Sequence, residues 1–349
     1  NGPFKRYLNY RQNKITMTVQ KSTKNKIIFF GTSDFAVPVL KTLIKNQYEI
    51  IAVVTQPDRE AGRGYEKNTS PIKEMALKYG LKILQPERVK DAEFIKILKE
   101  MSPELNIVCS YGKIIPEEII EIPKHKTINI HPSLLPKYRG SSPIQTAILN
   151  GDKETGITIM LMDKEMDHGP IIKNIKLKIK NYETIICQEL LEYLAEKSAD
   201  LLIKTLPDWL AEKITPREQN HKEASFTKIF IKENGKIYWN KTSDEIDRQV
   251  RALNPWPGTF CFWHNHETET TTRLKIIKTE LPYITSSDMI DIMPNKKEGT
   301  VFKTLSSLMA IATLNDHIII KEIQPEGKKI MTGKDFLNGY PEIIGKILT

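Results

Sequence analysis

The chain has 349 residues, 40% of them hydrophobic, which is enough for two domains that each bury a core. Its longest apolar runs, such as residues 27–30 and 50–54, are far shorter than the roughly 20 residues of a membrane-spanning helix, so we expect no membrane span. The cysteines, Cys109, Cys187 and Cys261, are widely spaced. This spacing is typical of a reducing compartment, argues against a structural zinc site, and favours buried apolar thiols.

The formal net charge of +9 is concentrated at the amino terminus. Of the 52 Lys and Arg residues, seven lie in residues 1–26, where Asp and Glu are absent, so the rest of the chain holds 45 basic and 43 acidic residues. Because that remainder is nearly neutral, a contact with RNA phosphates has to come from a local basic patch. We interpret residues 1–25 as a basic leader, either disordered or not native: an organellar transit peptide, an expression remnant, or sequence upstream of a start at Met17.

From Lys26 onward, short runs rich in Ile and Val alternate with helical patterns, which predicts β-α units and an open, mostly parallel α/β sheet over residues 26–207. Strands are predicted at 26–31, 50–55, 81–84, 105–110 and 126–131, and helices at 35–46, 72–79 and 91–101. In such sheets ligands bind at the carboxyl ends of the strands. The residues that follow the strands at 105–110 and 126–131 are therefore the candidates for chemistry.

Two further strands are predicted, at 156–162 and 175–180. Strict alternation in the second strand places Lys176, Lys178 and Lys180 on one face. A solvated face is the favoured interpretation of these lysines, and an RNA-contacting face is the alternative.

The carboxyl-terminal half of the chain predicts a second domain. A helix with an apolar stripe is predicted over 183–206, and the polar, proline-containing residues 208–228 are interpreted as a linker. From 229 to 349 short strands are separated by polar turns, which predicts a small β-barrel, a kind of domain that often binds RNA.

The strongest candidate site combines residues 128–140 with Asp167. Asn129 and His131 lie two apart at the end of a predicted strand, so their side chains leave one face and can reach a single carbonyl group. An amide NH₂ and an imidazole N–H there would stabilise the oxyanion that forms when an amine attacks a carbonyl carbon. Asp167 would orient the histidine and help to remove the proton. Singly, these residues are more often structural, as a hydrogen-bonded strand-end pair and an Asx turn, but their combination favours acyl transfer.

The motif N-x-H-x-S-L-L-P at 129–136, followed by D-x-G at 167–169, resembles the folate-dependent formyltransferase family. That resemblance implies a Rossmann-like formyltransferase fold that binds 10-formyltetrahydrofolate, with Asn129, His131 and Asp167 as the catalytic residues. It also implies a folate site lined by two loop segments: Tyr111, Gly112, Ile114 and Ile115, and Ser133, Leu134, Leu135 and Pro136. These motifs identify the formyl donor and leave the acceptor open.

Four other stretches bear on the acceptor. They resemble the branch of this family that formylates methionyl-tRNA, and they lie at 29–40, 55–64, 250–263 and 323–339. The resemblance implies that methionyl-initiator tRNA is the acceptor, that an OB-like second domain binds it, and that Arg63 contacts its acceptor end. Without the resemblance to this family, the residue types alone predict that Arg63 is a solvated charge in a flexible glycine-containing loop.

Two other functions remain open at this stage. One is formyl transfer to a small amine, such as glycinamide ribonucleotide or an amino-sugar nucleotide, and the other is noncatalytic folate or tRNA binding. We expect no metal, since His264 and His266 alternate like a ligand pair but lack a third ligand nearby. We expect a monomer without membrane contact in a bacterial cytoplasm, with a mitochondrion or plastid as the alternative because of the basic leader.

Overall fold

The computed structural model describes residues 25–61, 66–265, 269–282 and 296–349. Residues 1–24 of the basic leader, Arg63 and His266 lie outside the described residues. Among the helices of the described part, none is both long enough and apolar enough to cross a membrane. The three cysteines are buried free thiols, which confirms the sequence prediction.

The amino-terminal domain is built on one seven-stranded sheet. The strands of this half of the chain are β1 (Lys26–Gly31), β2 (Glu49–Val54), β3 (Arg59–Ala61), β4 (Glu66–Asn68), β5 (Ile83–Leu84), β6 (Leu105–Cys109), β7 (Thr127–His131), β8 (Glu154–Leu161) and β9 (Ile171–Lys178). The sheet order is β5-β2-β1-β6-β7-β8-β9. The first five strands in this order are parallel, and β8 and β9 are antiparallel additions. The prediction of an open, mostly parallel sheet is therefore confirmed.

Helices cover both faces of this sheet. They are α1 (Val37–Lys45), α2 (Pro71–Lys78), α3 (Ala92–Met101), α4 (Glu117–Ile120), α5 (Pro143–Leu149) and α6 (Cys187–Leu210). Strand β1 shows why two layers form: Ile27 and Phe29 belong to the core cluster under α1 and α6, whereas Ile28 and Phe30 belong to the cluster under α3. A strand that is apolar on both faces has to be buried on both, as parallel strands usually are.

Several boundaries differ from the sequence prediction. Strand β9 begins at Ile171, four residues early, because Ile171 and Ile172 are buried before the exposed lysines begin. Helix α6 is shifted towards the carboxyl terminus: a turn with Asn181 at φ +53° precedes it, and it continues through Pro207 to Leu210. The predicted loop after β2 contains a short antiparallel hairpin of β3 and β4.

The carboxyl-terminal domain is a β-barrel, as predicted. Its elements are α7 (Ser243–Leu253), β10 (Thr259–Asn265), β11 (Thr270–Glu280), β12 (Val301–Lys303), β13 (Met309–Ala312), β14 (His317–Pro325), β15 (Met331–Thr332) and α8 (Gly333–Gly339). The strands pair antiparallel in the order β10-β11-β14-β13-β12, with β15 on β14. The chain end joins the two edge strands, because Phe262 and Thr349 exchange backbone hydrogen bonds at 2.7 and 3.0 Å while Val301 N donates to Lys346 O at 2.9 Å. This contact closes the sheet.

Helix α7 belongs to the cores of both domains. Ile246 and Val250 lie in the apolar cluster of the barrel, whereas Ala252 and Leu253 lie in the cluster between α1, α6 and the first sheet. Arg248 Nε also donates to the Leu149 carbonyl of α5 at 3.0 Å. The two domains therefore share a helix instead of meeting only through a flexible linker.

Candidate active site

The carboxyl end of β7 presents the two residues that the sequence analysis singled out. Asn129 and His131 lie two apart on this strand and therefore share a face of the sheet. Asp167 approaches the same point from the loop between β8 and β9. Its Oδ1 accepts a hydrogen bond from Asn129 Nδ2 at 3.1 Å and lies 3.6 Å from His131 Nδ1. The structure thus brings the predicted amide, imidazole and carboxylate together.

The backbone around Asp167 holds its carboxylate in place. The side chain is 11% exposed, and Oδ2 accepts a hydrogen bond from Gly140 N at 2.8 Å. Asp167 has φ +50° and Gly140 has φ +105°, so both sides of this contact use left-handed backbone. Glycine adopts that conformation freely, and aspartate tolerates it better than most residues.

His131 is buried, and its surroundings fix the role of each ring nitrogen. Nε2 lies 2.8 Å from the backbone oxygen of Tyr138, which can only accept a hydrogen bond. Nε2 must therefore carry the hydrogen, and Nδ1 is the nitrogen that faces Asp167. Nδ1 is therefore the ring nitrogen that could donate a hydrogen bond to an anion at the reacting centre. It can do so only when it carries a hydrogen.

The β7–α5 loop, residues 132–142, is built against β8. Thr158 donates its hydroxyl to the Ser133 carbonyl at 2.7 Å and accepts from Leu135 N at 3.2 Å. Ser133 Oγ donates to the Lys137 carbonyl at 2.6 Å, and the Leu135–Pro136 peptide bond is cis. These contacts fix the turn that carries the Tyr138 carbonyl to His131.

The loop after β6 lies at the same edge of the sheet. Thr32 Oγ1 and Gln56 Nε2, from the loops after β1 and β2, both donate to the Tyr111 carbonyl, at 2.9 and 2.8 Å. The Tyr111 ring packs edge-on against Phe30, and burial raises the pKa of its hydroxyl to about 12. Gly112 has φ +77°, and a Cβ there would lie 2.6 Å from Gln56 Nε2.

The residues expected to line a folate site fall into two groups. Tyr111, Ile115, Ser133 and Leu135 are buried, and the contacts of Tyr111 and Ser133 described above fix the two loops. Gly112, Ile114, Leu134 and Pro136 retain exposed surface, and Ile114 is 82% exposed. Only the second group offers side chains or backbone to a ligand in this conformation.

A cavity of about 690 Å³ lies beside the β7–α5 loop. Its lining includes Leu134 and Tyr138 of that loop and Lys176 and Lys178 of β9. Lys176 Nζ pairs with the Glu154 carboxylate at 2.5 Å, and both lysines are exposed, as the alternation in the sequence predicts.

The segment between α6 and α7, residues 211–242, is hereafter called the connector. It runs along the β7–α5 loop: Arg139 N donates to the Ser225 carbonyl and Thr227 N to the Arg139 carbonyl, each at 2.8 Å. This contact could not be predicted from the sequence, because pairing through backbone atoms leaves no hydrophobic periodicity.

Arg63 lies outside the described residues, and His264 lies on β10 in the carboxyl-terminal domain. The two ring nitrogens of His264 form hydrogen bonds with the side-chain hydroxyls of Thr271 and Thr349, each at 2.9 Å. Within the described ranges, no three His, Cys, Asp or Glu side chains are grouped so that they could hold a metal ion.

Comparison with known proteins covers most of the chain. Residues 25–206 match the formyl transferase family, and residues 230–341 match the formyl transferase C-terminal domain. The chain is 43% identical to a methionyl-tRNA formyltransferase of Thermodesulfovibrio yellowstonii over 313 residues, which are 90% of this chain and 95% of that protein. It is 42% identical to a methionyl-tRNA formyltransferase of Caldanaerobacter subterraneus over 324 residues, 93% of this chain and 99% of that protein.

A solved structure shares the fold at lower identity. The crystal structure of HypX from Aquifex aeolicus in complex with tetrahydrofolic acid matches with a TM-score of 0.61. The match covers 93% of this chain and 48% of that chain, at 14% sequence identity. At this identity the likeness shows the fold alone.

Proposed function

The chain belongs to the methionyl-tRNA formyltransferases of the formyl transferase family, and we propose that it transfers the formyl group of 10-formyltetrahydrofolate to the amino group of methionyl-initiator tRNA, for translation initiation. The observation that carries the chemistry is the contact of Asp167 Oδ1 with Asn129 Nδ2 and its approach to His131 Nδ1. An amide, an imidazole and a carboxylate around one point suit attack of an amine on a formyl carbon.

The reaction needs no nucleophile from the enzyme, because the methionine amine supplies the electron pair. As the new C–N bond forms, the carbonyl electrons move to oxygen. Asn129 Nδ2 carries two hydrogens, and only one of them points to Asp167, so the other is available to the oxyanion. Protonated Nδ1 of His131 is the second donor. The Asp167 carboxylate orients the imidazole and assists removal of the amine proton. The bond from carbon to N10 then breaks, and tetrahydrofolate leaves with a proton.

The donor is proposed to lie against the loops that follow β6 and β7. Gly112, Ile114, Leu134 and Pro136 expose surface there, while Tyr111, Ile115, Ser133 and Leu135 hold the two loops. Adjacent parallel strands end at one edge, so both loops are within reach of the reacting centre.

The acceptor is proposed to be held by more than the catalytic domain. The carboxyl-terminal barrel is the second tRNA-binding element, and Arg63 is the proposed contact for the acceptor end. We propose that the protein acts as a monomer in a bacterial cytoplasm, with an organelle as the alternative location. Identity of 42–43% to methionyl-tRNA formyltransferases over 90% or more of this chain supports tRNA over a small amine as the acceptor.

The full chain can be tested with 10-formyltetrahydrofolate and three acceptors: methionyl-initiator tRNA, glycinamide ribonucleotide and an amino-sugar nucleotide. We expect formylmethionine on the tRNA, detected by mass spectrometry of the released amino acid, and at most slow reaction of the small amines. Faster formylation of a small amine would replace the proposed acceptor. Binding of folate or tRNA without product would favour a noncatalytic protein.

A further inference from the structure

We propose that Gln219, in the connector, is a positioning residue for the catalytic carboxylate, holding the backbone of the turn formed by residues 163–169 (the Asp167 turn). The proposal rests on the proposed function, because it assigns Gln219 a part in the same reaction. Gln219 makes no contact with the reacting atoms and acts through Asp167.

All four hydrogen-bonding positions of the Gln219 amide are used. Its Nε2 donates to the carbonyls of Asp167 at 3.0 Å and Gly169 at 2.8 Å. Its Oε1 accepts from Arg139 Nε at 3.2 Å and Nη2 at 2.7 Å. Arginine can only donate and backbone carbonyls can only accept, so the amide has a single orientation that satisfies every partner. Gln219 and Arg139 are each 4% exposed, so water does not compete for these contacts.

The backbone that Gln219 holds is one that needs support. Asp167 has φ +50°, and a non-glycine residue keeps left-handed backbone only where its surroundings determine it. The carbonyl of Asp167 and that of Gly169 point to the same donor, so Gln219 spans the end of the Asp167 turn. A shift of this turn would move the carboxylate away from Asn129 and His131.

Gln219 also links the two segments that meet at the carboxylate. Arg139, its second partner, precedes Gly140, whose N–H donates to Asp167 Oδ2. One amide therefore connects the residue that carries the carboxylate to the residue next to its backbone donor. The position of Gln219 is itself fixed by Arg217, which lies two residues earlier in the connector. Arg217 and Ile171 exchange backbone hydrogen bonds at 2.7 and 2.9 Å.

The connector supports the Asp167 turn at a second point. The ring of His221 stacks on that of His168, with centroids 4.1 Å apart and an interplanar angle of 8°. His221 Nδ1 lies 2.8 Å from Arg139 Nη2, and His168 Nδ1 lies 2.7 Å from Asp163 Oδ2. Gln219 and His221 thus contact Asp167, His168 and Gly169, and Arg139 Nη2 contacts both Gln219 and His221.

Gln219→Glu in the full chain tests the proposal. The variant keeps an acceptor for Arg139 but replaces the two N–H donors by an oxygen that faces two carbonyls. We expect kcat for formylation of methionyl-tRNA to fall about 10- to 100-fold, as misplacement of a catalytic group does, with KM for both substrates within about threefold of wild type. Gln219→Asn, one methylene shorter, should lose part of the same activity.

The matched control is Asn220→Ala. Asn220 is the next residue of the connector, is exposed, and donates its amide only to Glu223 Oε1 among the contacts described, at 2.8 Å. This variant should keep the wild-type kcat. Hydrogen exchange gives a readout without turnover: Gln219→Glu should speed exchange of the Gly140 amide about tenfold, and Asn220→Ala should not.

The outcomes separate this proposal from the proposed function. If wild type and Asn220→Ala do not formylate methionyl-tRNA, the proposed function fails, and the exchange rate of Gly140 still decides whether Gln219 holds the turn. If wild type is active, a Gln219→Glu enzyme with kcat within twofold of wild type and unchanged Gly140 exchange overturns the positioning role. A loss that disappears when rates are corrected for the folded fraction overturns it as well.

Discussion

Gly169 passes so close to Leu161 that a Cβ on Gly169 would lie 2.1 Å from the Leu161 carbonyl oxygen. That oxygen belongs to backbone at the end of β8, so it cannot rotate away as a side chain would. Gly169→Ala should therefore displace the Asp167 turn and lower kcat by about 100-fold or more, since a shift of about 1 Å is enough for such a loss. Steady-state formylation assays measure this.

Gly339→Ala is the control for that substitution. Gly339 ends α8, and a Cβ there would meet no atom within 4 Å. Alanine favours helix over glycine, so this variant should keep both full activity and wild-type stability to within about 1 kcal/mol. Equal activities of the two variants would show that the turn tolerates a side chain at Gly169.

Asn129→Ala should lower turnover by roughly 100- to 1000-fold, because it removes one donor to the oxyanion. Its effect on KM should be small, since the oxyanion exists only after the amine has attacked. Asn46→Ala, which removes an exposed amide at the carboxyl end of α1, is the control and should leave turnover unchanged. Near-normal turnover of Asn129→Ala would contradict the catalytic role of this amide.

The sequence predicted the parts of this site that depend on local periodicity. The sequence predicts that strand β7 ends at His131, as it does, and the period of two in a strand places Asn129 on the same face without any knowledge of the fold. The approach of Asp167 could not be derived in that way, because it crosses from the β8–β9 loop. Residue chemistry and the resemblance to a family both suggest Asp167 as a partner of His131, but neither derives its position from local periodicity.

Contacts made through the backbone leave no pattern of residue types from which they could be predicted. Gln219 binds carbonyl groups, which every residue carries, so no pattern of residue types records its partners. The closure of the barrel by Thr349 on Phe262 is similar, since it pairs positions far apart in the chain. The polar composition of residues 208–228 predicts a linker, whereas the backbone hydrogen bonds of Arg217, Ser225 and Thr227 attach this segment to the amino-terminal domain.

Arg251 holds the two domains at α7, and its loss should destabilise the protein. Its Nε pairs with Asp247 Oδ2 at 2.6 Å, with both side chains at most 10% exposed, and its Nη1 donates to the Ile185 carbonyl at 3.0 Å. Arg251→Ala would leave the Asp247 charge buried, with the Thr279 hydroxyl at 2.7 Å as its remaining side-chain partner among the described residues. We expect a loss of about 3 kcal/mol in the free energy of unfolding, measured with urea.

Lys96→Ala is the control for Arg251→Ala. Lys96 pairs with Glu100 at 3.9 Å on α3, and both side chains are mostly exposed. Such surface pairs contribute about 0.5 kcal/mol or less. If both alanine variants lost the same small amount of unfolding free energy, burial of the Arg251–Asp247 pair would be shown not to contribute to stability.

The amino terminus of α7 should make part of the stability depend on pH. Thr242 N and Thr242 Oγ1 both donate to Glu245 Oε2 at 2.9 Å, and Glu245 N donates back to Thr242 Oγ1 at 3.2 Å. These hydrogen bonds, the backbone one first, lower the pKa of Glu245 below its ordinary value of 4.5. A carboxylate with a lowered folded-state pKa stabilises the protein fully above its unfolded pKa, and this contribution is lost as the pH falls through the folded pKa.

Glu245→Gln should therefore be less stable than wild type at pH 7, by about 0.3–1 kcal/mol for a charge at a helix amino terminus. The difference should shrink as the pH falls below 4.5, where the wild-type carboxylate becomes protonated and resembles the amide. Urea unfolding at pH 7 and pH 4 measures the two differences, and Glu326→Gln, at an exposed turn, corrects for the change in net charge. If the difference in unfolding free energy between wild type and Glu245→Gln grew as the pH fell, its sign would be wrong for a carboxylate that is stabilised in its charged form. The stabilising interaction would then have to lie elsewhere.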